Sequence, residues 1–273
     1  MQKSYSSLCL TMLVTLSLFT ACKKNPFPGP GYGNSQIQKV TMDNENYALF
    51  VYNALGDPVS ITRSLVSTGA PNYFFRYDAQ RRLTDYYGAY SDGRTFEFWH
   101  RYVYDDHNHI VTDTMYLFGL VGDSGPLPDP QAPPPYDQLY VGNLATYQYD
   151  AKNRIIRTTD SYGAPPTNPQ TIRRYMYGAN GNLAVIRTYE PYTSDSTDLN
   201  LSGYDNKVNL HRMHPIWQFL DRDFSVNNHE NVTAYNAKGL PLTIQASGAG
   251  EIGNAFISLR YSNMLQITYQ PCR

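Results

Sequence analysis

The residue types that most often do chemistry form two histidine groups in this sequence. His107 and His109 stand beside Asp105 and Asp106, and imidazole with carboxylate is a common ligand set for divalent metals. The same four residues fall in a predicted hairpin turn, where polar side chains are expected whatever the function. We therefore expect no metal at this position.

The second group offers even less support for catalysis. His211 and His214 are three residues apart, so a helix would place both on one face, but no carboxylate stands at a matching spacing. Asp123 and Glu190 could pair as the carboxylates of a glycosidase, although a chain of 273 residues offers many such pairs. The sequence has no nucleophile elbow, phosphate loop or His-Glu-x-x-His motif. We predict no enzymatic activity and no cofactor.

Aromatic residues could bind a ligand, because exposed rings stack well on sugar faces. The sequence has 25 tyrosines, 11 phenylalanines and 2 tryptophans. Most tyrosines occupy repeated positions at which burial in a sheet is expected. The aromatic residues outside those positions are predicted to line a groove or a mouth, and they are Tyr86, Tyr87, Tyr90, Trp99, Tyr136, Tyr140 and Trp217.

A repeated motif predicts the elements that must position these residues. A tyrosine that usually has an aromatic residue two positions before it, and Asp or Asn after it, recurs at spacings of 25–28 residues, which suits one β-hairpin and its return connection. Two longer gaps, of 45 and 58 residues, contain a proline-rich segment and a degenerate copy. Rings at i and i+2 share one face of a strand. Asp or Asn then begins a turn, and a residue that tolerates positive φ follows four residues after the tyrosine. The tyrosines of the six copies are Tyr52, Tyr77, Tyr104, Tyr149, Tyr177 and Tyr235.

Several segments depart from the repeat. Arg81 stands where the other copies carry Gly or Asn, a degenerate copy is predicted at Tyr204 and a truncated one at Tyr261. The proline-rich segment 125–135 is predicted to be a loop, because no strand could hold it. The segment 208–222 is predicted to be a short helix after its proline or a loop that plugs a barrel.

Strand alternation is clearest between residues 94 and 104. It predicts that Phe96 and Phe98 share one face with the tyrosines that follow, whereas Trp99 points to the other. Eight suspected hairpins give about sixteen strands, more than an open twisted sheet usually sustains before it curls or closes. We predict an all-β fold, in which antiparallel β-hairpin repeats form a long curled meander or a barrel-like sheet.

The Tyr-x-Tyr-Asp-Ala-x-Asn/Gly-Arg/Asn-Ile/Leu motif resembles the YD repeats of the RHS type. The segments 204–207 and 224–228 are similar to Bacteroidetes lipoproteins of unknown function, which are described as having a porin-like β fold. The resemblance covers roughly residues 47 to 269. It implies the fold and brings no catalytic residue with it.

The N-terminal segment predicts export and lipidation. Residues 1–21 read as a lipoprotein signal peptide, with an apolar run ending in Leu18-Phe19-Thr20-Ala21 before Cys22. Cys22 would carry the lipid, although an ordinary signal peptide with a chance cysteine is the alternative. Residues 22–36 are predicted to be the anchor and a Pro/Gly tether, and 37–273 a single domain of YD-like repeats. Two lysines after Cys22 favour the periplasmic side of an outer membrane.

The formal net charge of −1 provides no basic field for nucleic acid. We expect a non-enzymatic cell-envelope lipoprotein, attached to the membrane by its lipid, whose sheet binds a glycan or another envelope protein. Two alternatives are a shell that encloses a passenger and a hydrolase with an unrecognised site. A hollow polar lumen would favour the shell, and a packed core would exclude it.

Overall fold

The computed structural model describes residues 35–42, 45–163, 170–190, 192–193, 195–229, 231–245, 256–257 and 264–271. Sixteen strands in these ranges form one antiparallel sheet. The strands are β1 (Ser35–Thr41), β2 (Tyr47–Tyr52), β3 (Pro58–Arg63), β4 (Asn72–Tyr77), β5 (Leu83–Ala89), β6 (Thr95–Tyr104), β7 (Ile110–Gly122), β8 (Gly125–Leu127), β9 (Tyr140–Tyr149), β10 (Ile155–Tyr162), β11 (Gln170–Tyr177), β12 (Leu183–Tyr189), β13 (Ser196–Asn200), β14 (Asn231–Tyr235), β15 (Pro241–Gln245) and β16 (Met264–Pro271). The predicted all-β class is confirmed.

The first and last strands of the chain are neighbours in the sheet. β1 pairs with β16, with Val40 opposite Ile267, so the order runs from β13 back to β1 and continues through β16, β15 and β14. β8 adds to the edge of β7. No ladder joins β13 to β14 in the described ranges, so the sheet is a curled meander and not a closed barrel.

Six hairpin turns share the geometry that the repeat predicts. In the copy at Tyr149, the N–H of Asp150 donates to the carbonyl of Arg154, and the N–H of Asn153 donates to the carbonyl of Asp150, both at 3.0 Å. Asp150 Oδ1 also accepts from the N–H groups of Lys152 and Arg154. The residue four positions after the tyrosine has φ between 58° and 88° in every copy, at Gly56, Arg81, Asn108, Asn153, Gly181 and Gly239.

Arg81 departs from the repeat in residue type but not in conformation. Its φ of 66° is unfavourable for a residue with a Cβ. Its guanidinium donates to the buried carboxylate of Asp57 in the preceding turn, at 2.6 Å to Oδ1 and 3.0 Å to Oδ2. This ion pair between adjacent turns offsets the backbone strain.

Four of the repeated tyrosines connect their hairpin to the preceding one. The Tyr77 hydroxyl donates to the carbonyl of Pro58 at 2.7 Å, and burial raises its pKa. The same bond recurs from Tyr104 to Leu83, from Tyr149 to Ile110 and from Tyr177 to Ile155. These rings pack against the core, as predicted.

The connection between β13 and β14 fills the space that the sheet encloses. Trp217 is 1% exposed, and its ring contacts those of Phe50 and Phe75 at 6.0 and 5.7 Å and stacks on Phe256 at 4.7 Å. The plug predicted for residues 208–222 is therefore confirmed. We call the face of the sheet toward this plug the inner face, and the opposite one the outer face.

The helical part of the plug is short and capped. A 3-10 turn (Leu210–Met213) precedes α1 (Pro215–Leu220); its proline stands at the first helical position, where a missing N–H costs nothing. His214 Nδ1 accepts from the N–H of Ile216 at 3.3 Å and caps the helix. None of the described helical segments has the length and apolar character needed to cross a bilayer.

His214 also joins the plug to the sheet. Its Nε2 lies 3.5 Å from Asp57 Oδ1. Burial lowers the pKa of His214. Burial alone would raise the pKa of Asp57, but hydrogen bonds from His214, Arg81 and Asn53 hold it well below its usual range.

The degenerate copy at Tyr204 keeps the tyrosine contact without forming a hairpin. Its hydroxyl donates to the carbonyl of Leu183 at 2.6 Å, and burial raises the pKa of Tyr204 to about 12. The next residue, Asp205, accepts a hydrogen bond from the hydroxyl of Tyr235 in β14. The segment therefore links β12 to β14 without being a strand. The copy predicted at Tyr261 lies outside the described residues.

The proline-rich segment 125–135 is not entirely a loop. Gly125–Leu127 forms β8, in which Pro126 lies opposite Val121 of β7. The loop prediction is wrong for these three residues. Because β8 is an edge strand, its proline can be accommodated without breaking the ladder of a central strand.

The alternation predicted for β6 is wrong at Phe96. The register with β5 shifts between Gly88 and Ala89, which leaves Glu97 as an extra residue. This β-bulge turns Phe96 to the outer face, where its ring contacts that of Trp99 at 5.5 Å.

Candidate functional site

Two rows of side chains cross the sheet perpendicular to its strands, one on each face. We define the inner row as the residues aligned across β4, β5, β6, β7 and β9, which are Tyr73, Gly88, Phe98, Leu117 and Tyr140. The outer row occupies the adjacent positions on β4 to β7, which are Phe74, Tyr87, Trp99 and Tyr116. Both rows therefore depend on the same strand register.

The centre of the outer row is sealed, whereas Phe74 and Tyr116 at its two ends are half-buried. Trp99 is 0% exposed, although it lies on the outer face, and it stacks on Tyr87 at 4.0 Å. The Arg76 guanidinium lies over both rings, 4.8 Å from that of Trp99 and 5.0 Å from that of Tyr87. Trp99 Nε1 donates to Asp85 Oδ1 at 2.8 Å, and the same oxygen accepts from Arg101 Nε at 3.1 Å.

The hairpin between β7 and β8 completes the seal. Arg76 Nη1 donates to the carbonyls of Gly122 and Asp123 at 2.9 and 3.0 Å, and Arg101 Nη2 donates to the carbonyl of Ser124 at 2.6 Å. Gly125 has a φ of 152°, and a Cβ there would collide with the Arg101 guanidinium. The two arginines thus clamp the hairpin against the outer row.

The inner row is half open. Its rings and Leu117 are half-buried, and Tyr86 lies beside them, 5.3 Å from the rings of both Tyr73 and Phe98. A Cβ at Gly88 would lie 2.5 Å from the Phe98 ring. The ring can therefore occupy its position only because residue 88 has no side chain. The Arg63 guanidinium covers one face of the Tyr73 ring at 4.5 Å.

Aromatic residues of the proline-rich connection extend the inner row. The Tyr136 ring lies 5.4 Å from that of Tyr140 and 5.0 Å from that of Phe118. Phe118 has a φ of 47°, a strained conformation of the kind that often marks a functional site.

Two buried acceptor oxygens lie in the segments that carry Tyr136 and Tyr140. Asp137 Oδ1 and Asn143 Oδ1 are buried, and neither accepts a hydrogen bond from any described residue. Asp137 follows Tyr136, and Asn143 lies opposite Met115 on the inner face. Half-buried rings beside unused acceptors suit a ligand with apolar faces and many hydroxyl donors.

The structure brings together some of the predicted binding residues. Tyr136 and Tyr140 lie in contact at the end of the inner row, and Tyr86 lies buried beside Tyr73 and Phe98.

The other predicted residues do not join this group. Tyr87 and Trp99 belong to the sealed outer row, and Trp217 lies in the plug. Tyr90 is half-buried beyond β5, with its hydroxyl 3.3 Å from Thr68 Oγ1. The lipidation residue Cys22 lies outside the described residues.

Sequence reasoning missed Tyr73 and Phe98. Phe98 was assigned to the buried stripe, because it alternates correctly with core positions on its strand, and Tyr73 was not considered. A usable signal was their distance from the repeated turn. Each lies four or more residues before the turn tyrosine of its strand, Tyr77 or Tyr104, at the end of the strand farthest from that turn.

The histidines serve contacts within the fold. His109 stacks on Tyr149 of the next hairpin at 4.6 Å, and its Nε2 lies 3.0 Å from Asn153 Oδ1. His211 is buried, with Nε2 2.8 Å from Asp221 Oδ2. Across the residues that the structure describes, no three His, Cys, Asp or Glu side chains are placed to hold a metal ion.

The two carboxylates considered for a glycosidase are exposed and far apart in the sheet. Asp123 follows β7 and Glu190 follows β12, and three strands, β9, β10 and β11, separate these two. This is about 19 Å along the sheet, beyond the roughly 5–9.5 Å between glycosidase carboxylates.

Comparisons with known proteins found similar structures only with low TM-scores. No protein family model and no curated protein matches the chain. A porin-like protein from Bacteroides uniformis is 11% identical, covers 86% of this chain and 98% of its own, and has a TM-score of 0.42. The TcdB2-TccC3-Cdc42 structure is 14% identical over 76% of this chain, with a TM-score of 0.31.

The Tc holotoxin pore of Photorhabdus luminescens is 13% identical over 75% of this chain, with a TM-score of 0.25. The chain spans 11% of the length of each of the two toxin chains. At these TM-scores the similarities do not bear on ligand, activity or location.

Proposed function

We propose that the protein is a non-enzymatic lipoprotein of the cell envelope that binds a glycan at the inner row. The observation that carries this proposal is the alignment of the half-buried rings of Tyr73, Phe98 and Tyr140 on one face. The acceptor oxygens of Asp137 and Asn143, which lack partners among the described residues, supply the polar half of the site.

The dimensions of the row fit a short oligosaccharide. Four strand spacings separate Tyr73 from Tyr140, about 19 Å along the sheet. Aromatic rings contact the C–H faces of pyranose sugars, while carboxylate and amide oxygens accept from their hydroxyls. The free acceptors also favour neutral sugars, since a ligand carboxylate would be repelled by Asp137.

The packed interior argues against an enclosing shell. Leu210 and Trp217 of the plug are almost completely buried within the space that the sheet surrounds. A passenger would have to displace the plug and the aromatic contacts that it makes with Phe50 and Phe75. Asp123 and Glu190, in turn, are too far apart along the sheet to act together as the carboxylates of a glycosidase.

We also propose that Cys22 is lipidated and anchors the domain to the outer membrane, on its periplasmic side. The lipobox-like end of the apolar segment supports this. Replacement Cys22→Ser should move the protein from the membrane fraction to the soluble fraction of cells. Retention of the variant in membranes would exclude lipid anchoring.

Thermal unfolding with a panel of glycans tests the binding proposal. The panel comprises cellohexaose, xylohexaose, chitohexaose and peptidoglycan fragments. A glycan at a hundred times its Kd stabilises by about 2.7 kcal/mol, which shifts Tm by roughly 5–10 °C in a domain of this size.

Matched variants locate the site. Tyr140→Ala should abolish the shift, whereas Tyr192→Ala should retain it, because Tyr192 is 84% exposed and lies after β12, away from the inner row. A flat panel would contradict the glycan proposal, and capture of a defined envelope protein that requires Tyr140 would replace it.

A further inference from the structure

A row of three arginines crosses the outer face of β10, β11 and β12. Arg157 lies opposite Arg174, Arg174 lies opposite Arg187, and Arg187 lies opposite Asp198 of β13. Adjacent strands are about 4.8 Å apart, so the backbone positions of the three arginines lie within about 10 Å across the sheet. Like charges at directly opposite positions destabilise a sheet. A negative group beside these arginines would therefore stabilise it.

One of the three arginines has its counter-charge within the protein. Arg187 donates from Nε and Nη2 to the two carboxylate oxygens of Asp198, both at 2.7 Å. Arg174 is exposed, and its guanidinium lies 5.4 Å from the centre of the Tyr189 ring. Arg157 Nε is buried and has no hydrogen-bond partner in the described part of the chain.

On the inner face of the same strands, arginines are paired with a buried carboxylate. Arg173 and Arg222 converge on the buried carboxylate of Asp160, each at 3.1 Å. On the outer face, Arg157 and Arg174 have no described carboxylate in their place. Facing cations without a counter-charge are unfavourable, and an external anion beside their terminal guanidinium nitrogens would remove that cost.

We propose that Arg157 and Arg174 bind a tetrahedral oxyanion, phosphate or sulfate, on the outer face of β10 and β11. The planar guanidinium fork matches such oxyanions, and two forks from adjacent strands would contact different oxygens of one group. A membrane surface fits less well, because recognition of anionic lipid takes clusters of roughly four to eight basic residues. The formal net charge of −1 also gives the protein no general attraction to an anionic membrane.

Isothermal titration of the full-length protein tests this site. The probes are inorganic phosphate, glucose 6-phosphate, a sulfated oligosaccharide and, as the uncharged reference, glucose. We expect the oxyanions to bind and glucose not to. Inorganic phosphate alone would identify the free ion as the ligand, and binding of the esters would identify a phosphorylated or sulfated sugar.

Charge-matched variants separate this site from general attraction. Arg157→Gln and Arg174→Gln should each lower oxyanion affinity at least tenfold, whereas Lys152→Gln, at an exposed turn position, should leave it unchanged. Arg174→Gln should also raise Tm in buffer free of oxyanions, because it relieves like-charge repulsion, which shows that the variant folds.

Three results would overturn the proposal. They are the absence of heat with every oxyanion, equal losses in Lys152→Gln and the arginine variants, and binding to phosphatidylglycerol vesicles that is stronger than to the esters. Because the site lies on the opposite face from the inner row, loss of glycan binding in Tyr140→Ala would leave oxyanion binding intact.

Discussion

The inner and outer rows lie back to back on β4 to β7, yet the inner row is half open while the centre of the outer row, Tyr87 and Trp99, is sealed. The outer row is covered by a hairpin that Arg76 and Arg101 hold in place. On the inner face, the plug contacts β6 at Tyr102, whose ring meets that of Phe219, while Phe98 of the inner row, nearer the other end of β6, stays half-buried. Whether aromatic residues can meet a ligand is therefore set by the segments that cover them.

Truncation of the two rows should affect stability very differently. Trp99→Ala should lower the free energy of unfolding by about 3–5 kcal/mol, because a buried ring leaves a cavity and Asp85 loses a donor. Tyr73→Ala, at a half-buried position, should cost about 1 kcal/mol. Urea denaturation measures both values, and equal losses would show that the rows are not sealed and open as described.

Removing an unused acceptor should affect binding more than folding. Asn143 Oδ1 accepts no hydrogen bond from the described residues, so Asn143→Ala should leave the urea midpoint almost unchanged. Loss of a hydrogen bond to a sugar hydroxyl is worth about 1 kcal/mol, roughly a fivefold loss of affinity. A variant that unfolds more easily but binds equally well would assign Asn143 to the fold.

Arg76→Ala should convert the sealed row into an open one at a stability cost of about 1 kcal/mol or less. The substitution removes the cation–π contacts with Trp99 and Tyr87 and the bonds to the hairpin. In a Trp217→Phe background, acrylamide should quench Trp99 fluorescence more strongly after the change. Unchanged quenching would show that the hairpin stays closed without Arg76.

Acid should weaken the attachment of the plug that supports the inner row. The pKa of His214 is below its ordinary value of about 6.5, so the unfolded chain takes up that proton first and stability falls as pH drops below about 6.5. The lowered pKa of Asp57 adds stability that is present above about pH 4 and is lost below it.

His214→Asn isolates the first of these two effects. Asparagine can still cap α1 but does not titrate, so the decline in urea midpoint between pH 7.5 and pH 5.5 should flatten. An unchanged slope would assign the pH dependence to other groups.

The repeat predicted the hairpin architecture because its information is local. Aromatic alternation, an Asx residue and a residue with positive φ specify strand and turn within about seven residues. Even Arg81 adopts the positive φ that the other five copies predict, and its ion pair with Asp57 stabilises that conformation. The plug was also predictable, because the repeat is interrupted between residues 208 and 222 and this segment carries the large apolar side chain of Trp217.

The covering of each row was not predictable from local sequence. Trp99 was correctly placed on the face opposite the stripe, but the hairpin that buries it is more than twenty residues away. The bulge at Glu97 that turns Phe96 depends on pairing with β5. The half-open state of Tyr73 and Phe98 depends on where the plug ends, a property of tertiary packing.

Titration calorimetry with a glycan that stabilises the protein would test the central claim most directly. It would compare the native protein, the double variant Tyr73→Ala with Tyr140→Ala, and Trp99→Phe. We predict that the double variant loses binding at least thirtyfold, as expected if each ring contributes about 1–2 kcal/mol, and that Trp99→Phe binds as the native protein does. Native-like binding by the double variant, or loss of binding in Trp99→Phe alone, would contradict the assignment of the site to the inner row.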